Sequence, residues 1–300
     1  MKDLYYRLWN KIPYVKKLHK EINFYKSKMY FLPGHFYSPV VSWNEVKNRE
    51  NLWSYSDRIE GINLNLEGQK QLVNGFLKYY DDIPWISEKK DNLRFYFQNP
   101  YYSYTDGIFL YFMIRHFRPQ RIMEIGSGFS SALMVDTNKL FFSNTIKLTF
   151  IEPFPERLYS LLGESDLPNV KVLEKKVEEI PLPEFEKLEK GDFLFVDSSH
   201  VSKTGSDVNH ILFNILPRLK KGVIIHFHDI FYPFEYPKLW VYEGRNWNEI
   251  YLLRAFLMNN ANYKIHLFSS LLHQNDSSIF ENMPLCMENR GGSLWLEKIN

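Results

Sequence analysis

The chain of 300 residues is long enough for one large domain, or for a domain of about 200 residues with an appendage. Hydrophobic residues make up 45% and charged residues 24%, which is ordinary for a globular enzyme and excludes a largely disordered chain. A single cysteine, Cys286, excludes an internal disulfide and a cysteine-rich zinc module. No apolar run approaches the ~20 residues of a membrane-spanning helix, and no signal-peptide core opens the chain. We therefore predict a cytoplasmic protein.

The net charge of +2 is unevenly distributed along the chain. Residues 1–30 hold eight lysines or arginines against two acidic residues, a net +6, so the remaining residues carry −4. Aromatic residues interleave with these cations, which makes residues 1–30 a candidate for peripheral contact with a membrane surface or an anionic partner. The alternative is a solvated arm whose aromatics pack on the body. Nucleic-acid binding is not predicted, because the remainder is acidic and carries no recognised module.

The regular pattern begins after about residue 100. We predict that residues 1–100 form an N-terminal extension, which includes the basic arm and covers a substrate pocket, and that residues 101–300 form the main domain. The segment 105–117 has the apolar spacing of a helix, and strand-like and helical runs then alternate. The predicted strands are 121–126, 147–153, 170–175, 192–198, 222–229, 263–270 and 293–298, and the predicted helices after 105–117 are 129–141, 155–163, 205–219 and 247–260.

Most of these strands are short, almost entirely apolar and separated by helices, which indicates a buried parallel sheet. The last two strands, 263–270 and 293–298, have no predicted helix between them, so we expect the last strand to run antiparallel. The sequence therefore predicts an α/β fold: a doubly wound, mainly parallel seven-stranded sheet with an antiparallel last strand.

Two glycines follow the first predicted strand in the stretch MEIGSGFSS, residues 123–131. Glycine lets the backbone approach a ligand, so Gly126 and Gly128 are candidate cofactor-binding residues. A nicotinamide loop would carry a third glycine where this chain has Ser131, and would hold a pyrophosphate. Glu124 would repel a pyrophosphate, but it suits the sulfonium and ammonium groups of S-adenosylmethionine. The charges therefore favour S-adenosylmethionine.

A second acidic residue closes the next strand. Glu152 lies 24 residues beyond Gly128, and a carboxylate there can accept hydrogen bonds from both ribose hydroxyls. The alternative interpretation is a tight turn with two surface carboxylates.

These features resemble the class I S-adenosylmethionine-dependent methyltransferases over roughly residues 100–300. The resemblance implies a Rossmann-like sheet that ends in an antiparallel strand. It also implies cofactor contacts from a set of loop and strand-end residues: Glu124, Gly126, Ser127, Gly128, Glu152, Asp197 and Ser198. Where the family often has an aspartate that reads the adenine amino group, this chain has Lys176 and Val177. We therefore expect backbone groups near Val177 to recognise the adenine.

Two further strand ends supply polar groups for chemistry. Asp197 ends the fourth strand in VDSSH, and Asp229 ends the fifth in HFHD. Because both strands end at the same edge of the sheet, we expect these side chains to reach one pocket. His200 follows Asp197 and is suited to act as a general base at neutral pH. His226, inside the fifth strand, is predicted to be a core residue.

The pattern D-x-x-H after the fourth strand resembles the metal-dependent O-methyltransferases of the macrocin and cephalosporin-tailoring type, and more distantly catechol O-methyltransferase. The resemblance implies that Asp197 binds a metal ion and that His200 is the base. These relatives carry an acidic pair after the fifth strand, whereas this chain has His228 and Asp229. An imidazole with two carboxylates suits an ion softer than Mg²⁺, such as zinc, manganese or iron. We expect Asp197, His228 and Asp229 to hold such an ion, because two carboxylates repel each other unless a cation lies between them. Without a metal, His200 alone would be the base.

The leading hypothesis is an S-adenosylmethionine-dependent O-methyltransferase that acts on a hydroxyl group of a sugar or small glycosylated metabolite. Two alternatives remain open: an NAD(P)-dependent oxidoreductase with a Rossmann fold, and a non-catalytic cofactor-binding or scaffold protein. The expected partner in the first case is a small-molecule or glycan acceptor.

Overall fold

The computed structural model describes residues 12–300. Part of the predicted basic arm, including Lys2, Arg7 and Lys11, lies outside the described residues. By compactness the chain divides into two units. The first contains residues 12–52 and Leu239–Asn246, and the second contains Trp53–Lys238 and Trp247–Asn300.

The second unit contains a seven-stranded sheet with the order β3-β2-β1-β4-β5-β7-β6. Its strands are β1 Arg121–Ile125, β2 Lys147–Ile151, β3 Val170–Leu173, β4 Phe193–Val196, β5 Ile224–Phe227, β6 Tyr263–Phe268 and β7 Leu294–Lys298. Strands β1 to β5 pair in parallel. Strand β7 is antiparallel to both β5 and β6. The predicted fold class, including the antiparallel last strand, is confirmed.

The helices of both units, in chain order, are α1 Pro13–Ser27, α2 Trp43–Val46, α3 Leu66–Asn74, α4 Leu77–Tyr80, α5 Tyr104–Phe117, α6 Phe129–Phe142, α7 Glu156–Leu161, α8 Leu182–Phe185, α9 Asp207–His210, α10 Lys238–Tyr242, α11 Glu249–Leu257 and α12 Ser269–Asn275. Shorter 3-10 turns connect several of them. No helix among residues 12–300 combines the length and the apolar character needed to cross a membrane. The cytoplasmic location stays a prediction.

The core forms where apolar strands meet apolar helices. Ten consecutive residues of α5, from Thr105 to Ile114, are buried, and the helix packs against α6. The four residues of β4 are all buried. Fully burying a large apolar side chain contributes about 1.5–3 kcal/mol, so this cluster is the main source of stability for the sheet. The rigid sheet in turn fixes where each strand ends.

The sequence predicts an N-terminal extension over residues 1–100. In the structure, residues 53–100 belong to the same compact unit as the sheet. Trp85 and Phe95 are buried in the core cluster that contains α5 and α6. The Trp85 Nε1 donates to Asp136 Oδ2 at 2.9 Å, and Arg94 Nη1 donates to Asp136 Oδ1 at 2.8 Å. These buried contacts join the segment to α6, and nothing in its local pattern indicates them.

The connection between β6 and β7 differs from the prediction. It contains α12, in which Leu271 and Leu272 are buried, and two 3-10 turns, Ser277–Phe280 and Pro284–Met287. The prediction of a helix-free connection was wrong because a seven-residue helix is too short to show a clear apolar period.

The helix predicted over 205–219 is also broken into shorter pieces. Helix α9 continues as a π-helical turn, Ile211–Ile215, and then as the 3-10 turn Leu216–Arg218. Pro217 explains the break, since proline has no backbone N–H to donate within a helix and its ring crowds the preceding turn.

Candidate active site

The predicted site residues meet at the carboxyl edge of the parallel strands. The loop after β1 contains residues 126–128, and Glu152 follows β2. Asp197 follows β4, and Asp229 lies just beyond β5. Strands β1 and β4 are neighbours, although β2 and β3 come between them in the sequence. This is the point where the strand order reverses, and it is where open α/β sheets bind ligands.

The backbone conformation at position 126 requires a glycine. Its φ is +81°, a left-handed conformation that side chains disfavour. A Cβ atom at this position would lie 1.9 Å from the backbone oxygen of Asp197. We expected the space to be kept for the ligand, but it is already filled by the end of β4. Gly126 therefore lets the β1 loop pass close to Asp197.

Gly128 is less crowded than Gly126. Its backbone is extended, and a Cβ atom there would meet Arg157 Cδ at 3.4 Å, an ordinary contact. Arg157 lies over the ring of Tyr101, 3.9 Å from its centroid. Of the two glycines, only Gly128 could carry a Cβ atom without a clash against the backbone.

Glu124 lies beneath the loop and is fully buried. Its Oε1 accepts a hydrogen bond from Ser130 Oγ at 2.5 Å, and its Oε2 accepts one from Ser131 Oγ. The Ser131 hydroxyl also accepts from the Gly128 N–H at 3.0 Å. Burial raises the pKa of Glu124 to about 8. Ser131 therefore joins Glu124 to the glycine loop, a role that its position in the sequence did not indicate.

Glu152 also supports the loop. Its Oε2 accepts from the Ser127 N–H at 3.0 Å, and its Oε1 accepts from the Phe154 N–H at 2.9 Å. The Ser127 hydroxyl is buried and has no hydrogen-bond partner within residues 12–300. A buried hydroxyl without a partner is costly, so this position suits a ligand that brings a polar group.

His200 is held through both nitrogens of its ring. Its Nδ1 lies 2.9 Å from Glu249 Oε2, and its Nε2 lies 3.4 Å from Asp197 Oδ1. The His200 side chain is 6% exposed and that of Glu249 only 1%, whereas that of Asp197 is 34% exposed. The open side of this group is therefore the side of Asp197. An incoming ligand would meet Asp197 and His200 Nε2 together.

The local backbone explains why His200 occupies this position. Its carbonyl oxygen accepts from the N–H groups of Asn248 and Glu249 at 3.0 and 3.1 Å, which satisfies two donors at the start of α11. The Ser198 hydroxyl donates to Glu249 Oε1 at 2.9 Å and accepts from the His200 N–H. Ser198, predicted to contact the cofactor, therefore has its hydroxyl engaged in supporting His200.

The carboxylates and imidazoles change one another's protonation. Burial alone would lower the pKa of His200, but the hydrogen bonds to Asp197 and Glu249 outweigh it and hold this pKa well above the ordinary value. Burial would raise the pKa of Asp197, but the charges of His228 and His200 keep it below the usual value. Burial raises the pKa of Asp229. The neighbouring carboxylates thus favour the protonated form of the His200 ring.

The predicted metal ligands lie close to the His200 ring at the sheet edge. The His228 Nε2 lies 3.4 Å from Asp229 Oδ1, and the His200 Nε2 lies 3.6 Å from Asp229 Oδ2. The His200 ring thus lies close to both Asp197 and Asp229, and its protonated form would supply the cation between them. Within residues 12–300, no group of three or more His, Cys, Asp or Glu side chains is arranged to hold a metal ion. Metal binding by Asp197, His228 and Asp229 therefore stays a prediction.

His226 lies in the core, as predicted. Its ring stacks on Phe195 with 3.9 Å between centroids, and its Nε2 lies 3.2 Å from Ser293 Oγ. Burial lowers its pKa well below the usual value, so the ring is neutral. His226 is a packing residue.

Comparison with known proteins indicates the family of this chain. Residues 123–230 match a family model described as a methyltransferase domain. An uncharacterized protein from Archaeoglobus fulgidus is 34% identical over 165 residues, which cover 53% of this chain and 74% of the relative. The chain therefore belongs to the class I S-adenosylmethionine-dependent methyltransferases.

Two solved structures are similar to this chain at low sequence identity. The SAH-bound methyltransferase PaMTH1 from Podospora anserina is 15% identical with a TM-score of 0.42, and the match covers 91% of this chain and all of that one. The O-methyltransferase TomG from Streptomyces achromogenes, which is involved in tomaymycin synthesis and was solved with SAM, is 16% identical with a TM-score of 0.44. That match covers 86% of this chain and 97% of TomG.

Proposed function

We propose that this methyltransferase acts on a hydroxyl group, and that the acceptor is a sugar or a small glycosylated metabolite. The observation that carries the proposal is the position of His200. Its Nε2 lies beside Asp197 on the open side of the site, while its Nδ1 is held by the buried Glu249. A hydroxyl nucleophile needs a proton acceptor, whereas a thioether or a neutral amine does not.

The cofactor lies, in this proposal, over the loop after β1. S-adenosylmethionine supplies an electrophilic methyl group on a positively charged sulfur. Residues 126–128 bring the backbone close to the ligand, Ser127 offers its unpaired hydroxyl, and Glu152 accepts hydrogen bonds from the ribose. Asp197 supplies negative charge beside the cationic part of the ligand. Glu124 supports this loop from below, together with Ser131.

His200 accepts the proton of the acceptor hydroxyl at Nε2. The new O–C bond forms as the C–S bond of the donor breaks, so one proton and one methyl group are transferred in the balanced reaction. Glu249 fixes the ring so that Nε2 faces the acceptor, since it engages Nδ1. A cationic ligand beside Asp197 opposes the protonation of His200, which favours the neutral ring that a base requires.

An aromatic surface beside His200 supports a ring-shaped acceptor. This surface is the partly exposed ring of Trp247, whose centroid lies 4.4 Å from that of the His200 ring, and the buried Tyr236 packs edge-on against Trp247 at 5.8 Å. Ligand sites commonly combine aromatic walls with a few placed polar groups. A sugar, with an apolar face and several hydroxyls, suits such a surface.

The experiment that tests this proposal is a screen for transfer of a labelled methyl group to sugar nucleotides, glycans and phenols, with and without excess chelator. We expect transfer to a hydroxylated acceptor that the chelator does not reduce. Binding of S-adenosylmethionine without transfer to any acceptor would favour a non-catalytic protein. An oxidoreductase is disfavoured because a nicotinamide loop would carry a third glycine at position 131, where this chain has a serine that bonds to Glu124 and to the Gly128 N–H.

A further inference from the structure

Helix α1 of the first unit carries an exposed apolar stripe. The stripe consists of four residues that are spaced to lie on one face of the helix: Tyr14, Leu18, Ile22 and Tyr25. Their exposed fractions are 69%, 37%, 46% and 62%, in that order. No residue of α1 is buried. An amphipathic helix normally buries such a stripe against the protein, so this one is available for a surface outside the chain.

Lysines accompany this stripe. Five of them lie in or directly after α1, against the single acid Glu21: Lys16, Lys17, Lys20, Lys26 and Lys28. Glu21 is itself 4.0 Å from Lys17, which leaves the helix surface strongly positive. The complementary surface is therefore anionic as well as apolar.

The segment after α1 adds exposed aromatic side chains within the same compact unit. Tyr30 is 94% exposed, Phe36 87%, Tyr37 69% and Trp43 57%. Large aromatic rings are usually at least half-buried in a folded protein, but they are common where proteins meet the head groups of a bilayer. The segment thus adds exposed aromatic side chains to the lysines and the apolar stripe of α1.

We propose that α1 and the segment 30–43 dock on the surface of a bilayer that contains anionic lipids. Interfacial helices of this type lie in the plane of the membrane, with apolar side chains in the head-group region and lysines against lipid charge. A protein partner is less suited, because protein interfaces are depleted of lysine. The helix lies on the bilayer and does not cross it, and the proposal is independent of the acceptor of the methyl group.

The test is co-sedimentation of the full chain with vesicles of phosphatidylcholine alone or with phosphatidylglycerol. We expect binding only to the anionic vesicles, and weakening as salt is added. Each lysine near an anionic surface contributes about fivefold in affinity, so Lys16→Gln with Lys20→Gln should weaken binding by about 25-fold. Leu18→Ser with Ile22→Ser should weaken it further, because it removes the centre of the stripe.

Matched controls lie on the second unit. Lys89 and Lys221 are exposed, so their double change to Gln removes the same charge from another surface. Leu140 and Leu167 are 48% and 44% exposed, so their change to Ser matches the loss of apolar surface. These controls should bind vesicles like the unchanged chain. Absent binding, salt-insensitive binding, or equal losses in the controls would overturn the proposal. Light scattering tests the alternative that the stripe joins two copies of the chain. A dimer that does not bind vesicles, and that Leu18→Ser with Ile22→Ser dissociates, would also overturn the proposal.

Discussion

The Nδ1 atom of His200 lies 2.9 Å from Oε2 of Glu249, although 49 residues separate the two in the sequence. Glu249 is the first residue of α11, and the N–H groups at that helix start bond to the His200 carbonyl oxygen. The same turn of backbone therefore places the acid and the imidazole together. Because this contact fixes which nitrogen faces the open side, Glu249 is a positioning residue for His200.

Glu249→Gln should lower kcat by about 10- to 100-fold, because the charge that orients the ring is lost while the side-chain volume stays. The dissociation constant of S-adenosylmethionine should change less than twofold, since the hydrogen bonds of the Glu249 carboxylate go to Ser198 and His200. Steady-state kinetics and calorimetry separate the two effects. The control is Glu281→Gln at an exposed position. Unchanged kcat in the Glu249 variant would show that the contact is only structural.

The two glycines of the loop should respond differently to substitution. Gly126→Ala should lower the free energy of unfolding by at least about 2 kcal/mol, because it combines an unfavourable φ with a close contact at the Asp197 backbone. Gly128→Ala should cost less than about 1 kcal/mol in stability but weaken cofactor binding. Urea denaturation and calorimetry measure both quantities. Equal losses of stability in the two variants would contradict this distinction.

Removing the Glu152 carboxylate should weaken binding of S-adenosylmethionine at least tenfold. Charge-assisted hydrogen bonds contribute about 1.5–3 kcal/mol, and Glu152→Ala also removes the acceptor of the Ser127 N–H. Calorimetric titration gives the affinity. Glu156→Ala, at an exposed position in α7, is the matched control and should bind normally. If the Glu152 variant binds as tightly as its control, the carboxylate does not contact the ribose.

The buried Glu124 should make stability depend on pH in a defined window. Its pKa is raised to about 8, so between about pH 4.5 and 8 the folded chain keeps a proton that the unfolded chain releases. The free energy of unfolding should therefore fall with rising pH, by up to about 1.4 kcal/mol per pH unit from this group. Glu124→Gln should remove that slope. Denaturation of the cofactor-free chain across this range measures it, and equal slopes in both proteins would contradict the prediction.

Local sequence patterns predicted the strands of the sheet, but they did not predict the contacts that hold the site residues in place. The alternation of apolar strands and helices indicated all seven strands, because that pattern depends on burial along each segment. The contact between His200 and Glu249 depends on where a distant helix begins, and no local spacing reveals it. Likewise, the sequence predicts that Gly126 makes room for a ligand. In the structure, a side chain at this position is excluded by the carbonyl oxygen of Asp197, which follows another strand.

The proposal that His200 accepts the proton from a hydroxyl acceptor is tested most directly by single-turnover methyl transfer in His200→Gln and the unchanged chain. We expect NMR of the product to show a new methoxy group. Transfer by the variant should be at least about 100-fold slower, as expected when a general base is lost, with S-adenosylmethionine affinity within about twofold. Transfer at the unchanged rate in His200→Gln, or a product methylated on nitrogen, sulfur or carbon, would contradict the account.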